Sequence, residues 1–124
     1  MLTARCQLAL FAETNDCRRM ADEKLVISTA GSREEAARIA TALIEGRLAA
    51  CVNNAGPIDS IYRWQGKIER AQEFLMLVKT TSRQSAETMQ RIRQLHSYAV
   101  AEAIEVSIDG GNAEYLRWIS DSVR

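Results

Sequence analysis

Cys51 and His96 are the one pair of residue types in the chain that could act as a thiol nucleophile and its base, because His96 is the only histidine among 124 residues. Their surroundings argue against catalysis. The thiol lies in the apolar run Ala49-Ala50-Cys51-Val52, the setting of a small core residue, and His96 follows Met89 and Ile92 along one face of an expected helix. Thiolate and imidazole also suit a soft metal such as Cu(I), but two donors from one chain leave such a site incomplete. Copies of His96 meeting at a subunit boundary would raise the donor count with no motif to show it. Cys6, Cys17 and Cys51 are odd in number and irregularly spaced, which fits neither a disulfide framework nor a zinc knuckle. A reducing cytoplasm is the expected setting.

A second candidate is the segment Tyr62-Arg63-Trp64-Gln65-Gly66-Lys67-Ile68-Glu69, which gathers amphipathic aromatics and both signs of charge around one turn. That composition is enriched at protein interfaces, so assembly is its expected use. The rival reading is a pocket for a small anion, held by Arg63, Lys67 and Lys79 against a wall from Tyr62, Trp64 or Trp118. No glycine-rich phosphate loop is present: Gly31 stands alone, and Gly110-Gly111 lacks the further pattern that a nucleotide site needs. Sixteen basic residues balance sixteen acidic ones, so no overall field favours nucleic acid or an anionic membrane. No apolar run approaches the ~20 residues that span a bilayer. Cys6 to Ala12, behind Arg5, is too short and too soon followed by Glu13 and Asp16 for a convincing export signal, and residues 1–22 are expected to be a disordered extension.

The elements that must position these residues follow from residue 23 onward. Lys24 to Ala30 reads as a strand. Ser32 with Glu35 forms a capping box, and Ala36, Ile39, Ala40, Leu43 and Ile44 continue at helical spacing to Gly46. A second strand over Leu48 to Asn54 is expected to stop at Gly56-Pro57. The chain then stays extended to Trp64 with Ile58, Ser60, Tyr62 and Trp64 on one face, turns at Gln65-Gly66, and returns through Lys67 to Thr80. Thr81 and Gln84 are expected to cap a second helix, Ala103 to Asp109 reads as a strand, and Asn112 caps a final helix. This order predicts an α+β domain over 23–124, a ferredoxin-like split βαβ sandwich with a long β-hairpin and a C-terminal helix. Phe74 to Val78 is apolar on both sides, more than so few helices can cover, and the leftover face predicts an obligate oligomer.

Several blocks together, Gly46-Arg47-Leu48-Ala49-Ala50-Cys51-Val52-Asn53, Gly56-Pro57-Ile58, Ser60 to Glu69, and Tyr115-Leu116-Arg117-Trp118-Ile119, resemble the CutA family of divalent-cation tolerance proteins. The resemblance runs from about Lys24 to Arg124. It implies a homotrimer related in architecture to the PII signalling proteins, a role in the response to metal ions, copper or another divalent cation as the candidate ligand, and no catalytic activity. It also implies that Trp64, Lys67, Glu69 and Tyr98 lie near clefts between subunits, and leaves Cys51, His96 and Glu102 as candidate metal ligands. The chain departs from the family pattern where metal donors matter: Ser28 stands where relatives often carry cysteine, and Leu95-His96 where some have two histidines. His96-Ser97-Tyr98-Ala99-Val100-Ala101-Glu102 also lacks the family's two prolines. Without them the second helix is expected to run a turn further or the loop to be more mobile.

Overall fold

The computed structural model describes residues 22–124, and all of the expected N-terminal extension but Asp22 lies outside them. Four strands and three helices follow in the order β1 (Glu23–Ala30), α1 (Arg33–Glu45), β2 (Cys51–Trp64), β3 (Lys67–Thr81), α2 (Ser85–Leu95), β4 (Ile104–Ser107) and α3 (Ala113–Ser122). The strands form one antiparallel sheet in the order β2-β3-β1-β4, the split βαβ arrangement that the sequence predicts.

Strand alternation divides the sheet into two unlike faces. Val26, Ala30, Met76 and Val78 point to one side and are fully buried by Ala36, Ile39 and Leu43 of α1 and Ile92 of α2. That is the core. On the other side the paired rows Leu25–Lys79, Ile27–Leu77 and Thr29–Leu75 continue into Val106 and Ile104 of β4. There α3 reaches one end of the sheet, where Ser120 Oγ donates to Glu23 Oε2 and Lys79 Nζ lies 3.4 Å from Tyr115 Oη. Ile104 and Val106 stay 52% and 44% exposed. The described residues of one copy therefore cover one face of the sheet and only an end of the other.

The capping box forms with a variation. Ser32 Oγ accepts from Glu35 N at 3.0 Å, while the Glu35 carboxylate reaches back one residue further, to Gly31 N. The turn at Gln65-Gly66 has φ of 51° and 80°, the paired positive values that suit a two-residue hairpin.

Five local expectations need correction. The second strand does not stop at Gly56-Pro57: β2 runs from Cys51 to Trp64, and the chain absorbs the cis Gly56-Pro57 bond in a bulge between Ala55 and Ile58. Its start is also later than Leu48, whose carbonyl instead accepts from both Thr80 Oγ1 and Thr88 Oγ1. Gln84 is the N-cap of α2 without a capping side chain, because its amide donates to Arg124 O at 2.9 Å. Finally, α2 gains no turn from the missing prolines. It ends at Leu95, and β4 is shorter than expected, at four residues.

Candidate functional site

The segment after α2 is held by a carboxylate from α1. Glu35 accepts from Ser97 N at 2.7 Å, Ser97 Oγ at 3.1 Å and Gly31 N at 3.3 Å. Burial pushes the Glu35 carboxyl up, but these donors and neighbouring His96 outweigh it and hold the group below its ordinary value. His96 does not continue the helical face of Met89 and Ile92. It is the extended C-cap of α2, and its side chain is fully buried. Nδ1 accepts from Tyr98 N at 3.0 Å, which leaves Nε2 as the donor to Thr29 O at 2.6 Å. Both ring nitrogens are thus engaged in fixing the backbone.

This anchoring carries Tyr98 to the open face of the sheet, where its hydroxyl donates to Glu73 Oε2 at 2.9 Å. Burial and that carboxylate push the Tyr98 phenol up to about 12. Glu73 pairs with Ile58 just beyond the bulge in β2 and is only 8% exposed. Between the Tyr98–Glu102 segment and β2 lies a cleft of about 700 Å³. Its walls are Thr29 of β1, Ser60, Ile61, Tyr62 and Trp64 of β2, Glu73 of β3, and the segment itself. At the foot of the wall, Ser28 Oγ donates to Glu102 O at 2.7 Å, and Thr29 Oγ1 lies 3.5 Å from Glu102 Oε1.

The cleft brings together Tyr62, Trp64, Tyr98 and Glu102 from the sequence-predicted set. Lys67 and Glu69 sit opposite Trp64 and Tyr62 on the hairpin, but they do not line the cleft of their own copy. Nor does Arg63. Lys79 and Trp118 belong to a second cluster at the α3 end. There Lys79 Nζ lies 3.9 Å from Cys51 Sγ, bonds Asn53 Oδ1 and stands over the Tyr115 ring, which stacks against Trp118 at 5.5 Å. The three basic residues proposed for an anion therefore do not converge within one copy.

The metal candidates are also dispersed within one copy. Cys51 is level with Leu25 through Lys79, whereas His96 meets Thr29, four residues away along β1, or roughly 13 Å at the rise of a strand. Among the described residues no three of His, Cys, Asp and Glu gather as a metal site. With His96 engaged at both nitrogens and a serine at position 28, the donors among the described residues of one copy do not fit a resident copper ion.

Sequence reasoning missed Glu73 and the second role of Glu35. Glu73 borders the apolar run Phe74 to Val78 and looks like a solvated edge; the only hint was that its parity points to the same side as Leu75 and Leu77. Glu35 was legible as a cap, but its reach to Ser97, 62 positions away, depends on the packing of α1 beside α2.

Comparison with known proteins extends these observations. The family model described as CutA1 divalent ion tolerance protein matches residues 24–122. The divalent-cation tolerance protein CutA of Thermus thermophilus is 46% identical over 100 residues, covering 81% of this chain and 97% of that protein. The crystal structure of CutA from Xylella fastidiosa superposes with a TM-score of 0.81 at 40% identity, over 83% of this chain and 99% of that one. The structure of the periplasmic divalent cation tolerance protein CutA from Archaeoglobus fulgidus gives 0.79 at 44% identity, over 82% and 99% of the two chains. Among the described residues no helix is long and apolar enough to cross a membrane.

Proposed function

Because this chain belongs to the CutA1 family of divalent ion tolerance proteins, we propose that it serves the response to divalent metal ions as a cytoplasmic homotrimer, by binding rather than catalysis. The observation that carries the assembly is the open sheet face, with Leu25, Ile27, Leu75 and Leu77 half-buried beside exposed Ile104 and Val106. Among the described residues β2 and β4 are both free sheet edges. Pairing β4 of one copy with β2 of the next would be a head-to-tail contact, which must close into a ring to stay finite, and a ring of three is the size that the family resemblance implies.

Copper or another divalent cation enters this reading as the stimulus and not as a resident cofactor, since the donors among the described residues of one copy do not converge. A binding role is favoured over chemistry at Cys51 because its neighbour is Lys79, with no imidazole beside it to take its proton. The free Cys51 and the odd cysteine count support a reducing compartment.

Light scattering with and without Cu(I) and Cu(II), followed by metal analysis of the same peak, tests the reading. We expect three times the 13.8 kDa chain mass in every condition and no tightly retained copper. A monomer would overturn the assembly, and stoichiometric copper surviving gel filtration would overturn the absence of a resident site.

A further inference from the structure

We propose that the cleft beside Tyr98 is one half of a contact between copies, in which the partner's Lys67, at the tip of the long hairpin, supplies a positive charge to Glu73. The inference rests on the trimer proposed above and assigns residues that close it. Among the described residues of one copy no lysine, arginine or histidine lines the cleft, whereas Glu73 and Glu102 both do. Glu73 is buried and takes the Tyr98 hydroxyl, and among the described residues no basic side chain forms an ion pair with it. Lys67 of the same copy cannot serve. The two are six positions apart on β3, about 20 Å at the rise of a strand, which is well beyond the reach of a lysine side chain.

The hairpin reaches away from its own copy. Every residue from Ile61 to Arg70 is exposed, Tyr62, Trp64 and Ile68 among them, and a two-stranded ribbon left in water is marginal at best. Strand parity sorts its side chains. Tyr62 and Trp64 share a face with their partners Glu69 and Lys67, and that row continues through Ala71 and Glu73 to Leu75 and Leu77 of the open sheet face. Arg63 and Arg70 fall on the reverse face. Copies arranged about an axis on the open side turn like faces toward one another, so the row that meets the cleft is the one carrying Lys67. On the hairpin that row holds one other charge near the tip, Glu69, which has the wrong sign for an acidic cleft. Length also suits the contact. β2 has 14 residues and β4 has four, so a β2 paired with the partner's β4 runs on past it, and the chain directly before β4 is the Tyr98–Glu102 wall.

Light scattering through a dilution series tests the contact by a change of sign. Glu73→Gln and Lys67→Glu should each loosen the trimer at least about tenfold, the scale on which a desolvated charge pair couples two subunits. In the Lys67→Glu background the same Glu73→Gln substitution removes a repulsion, so there it should tighten assembly. Loosening by Glu73→Gln in both backgrounds would mean a merely structural role and overturn the proposal, as would unchanged assembly in Lys67→Glu. Tightening by Glu102→Gln in place of Glu73→Gln would move the contact to Glu102 and overturn this pairing. Should Glu73→Gln fail to fold, carbodiimide coupling of the wild-type trimer, assembled from mixed unlabelled and isotope-labelled chains, gives a second test. The expected product joins the Lys67 peptide of one isotope to the Glu73 peptide of the other; coupling within one isotope alone, or none to Glu73, would overturn the contact. A wild-type chain that stays a monomer at every concentration removes the assembly reading and this contact together, whereas a trimer without the change of sign removes the contact alone.

Discussion

Glu35→Gln is the substitution whose effect the structure defines most closely. The carboxylate is 8% exposed and accepts three hydrogen bonds, from Gly31 N, Ser97 N and Ser97 Oγ. A hydrogen bond to a charged group contributes about 1.5–3 kcal/mol, against about 0.5–1.5 for a neutral one, so neutralising the acceptor weakens each by roughly 1 kcal/mol. Glutamine also has one acceptor oxygen where the carboxylate has two, and its amide group must then face either Gly31 or Ser97, donor against donor. The expected loss is roughly 2–4 kcal/mol at neutral pH. The sign of the pH dependence follows from the direction of the shift. The folded carboxyl lies below its ordinary value of 4.5, so its contribution is present above that value and disappears as pH falls through the folded value. Urea unfolding at one fixed protein concentration, at pH 7 and again well below 4.5, should show a gap between the two proteins that narrows in acid. A gap under about 0.5 kcal/mol at neutral pH, or one equal at both, would refute the account of Glu35 as a charged clamp.

Ultraviolet titration of phenolate should show a late step near pH 12 that disappears in Tyr98→Phe; with this raised value, any stability from the Tyr98–Glu73 bond is present below the ordinary phenol range and lost as pH rises toward 12. Gly56→Ala should destabilise by about 2 kcal/mol or more in thermal or urea unfolding, because φ is 155° and a Cβ would meet Phe74 Cδ2 at 2.8 Å; an unchanged midpoint would mean that β2 slides freely at its bulge. Val106→Lys, at an exposed position of β4, should shift the light-scattering mass toward the monomer, and an intact trimer at low concentration would place the subunit contact elsewhere.

What could be read from the sequence was what neighbouring residues decide among themselves. Alternation and helical spacing fixed β1 and α1, Ser32 and Glu35 marked a helix start, and the two-sided apolar run in β3 announced a face that the described residues of one copy leave open. Asn112 caps α3 with bonds to Glu114 N and Tyr115 N, as its position implied. The misreadings share a different physics. Gly56-Pro57 reads locally as a stop, yet the ladder on β3 carries the strand past it. His96 reads as one more residue on a helical stripe, yet Thr29 O and Tyr98 N claim its ring. Half of the candidate site was visible as the aromatics of the hairpin, while its acid, Glu73, acquired meaning only when Tyr98 was folded over it.

The Glu35–Ser97 contact has a consequence for when order is imposed on the chain. A proline stiffens its neighbourhood in the unfolded ensemble as well as in the native state, so it reduces the entropy lost on folding. The only proline here is Pro57, and the segment from His96 to Glu102 is free of such restraint until α1 is in place to present its carboxylate. Its ordering is therefore conditional on the rest of the fold, and the full entropic cost of fixing it falls on the folding step. The wall of the cleft is thus held by bonds to α1, β1 and β3 and not by restraint built into its own backbone.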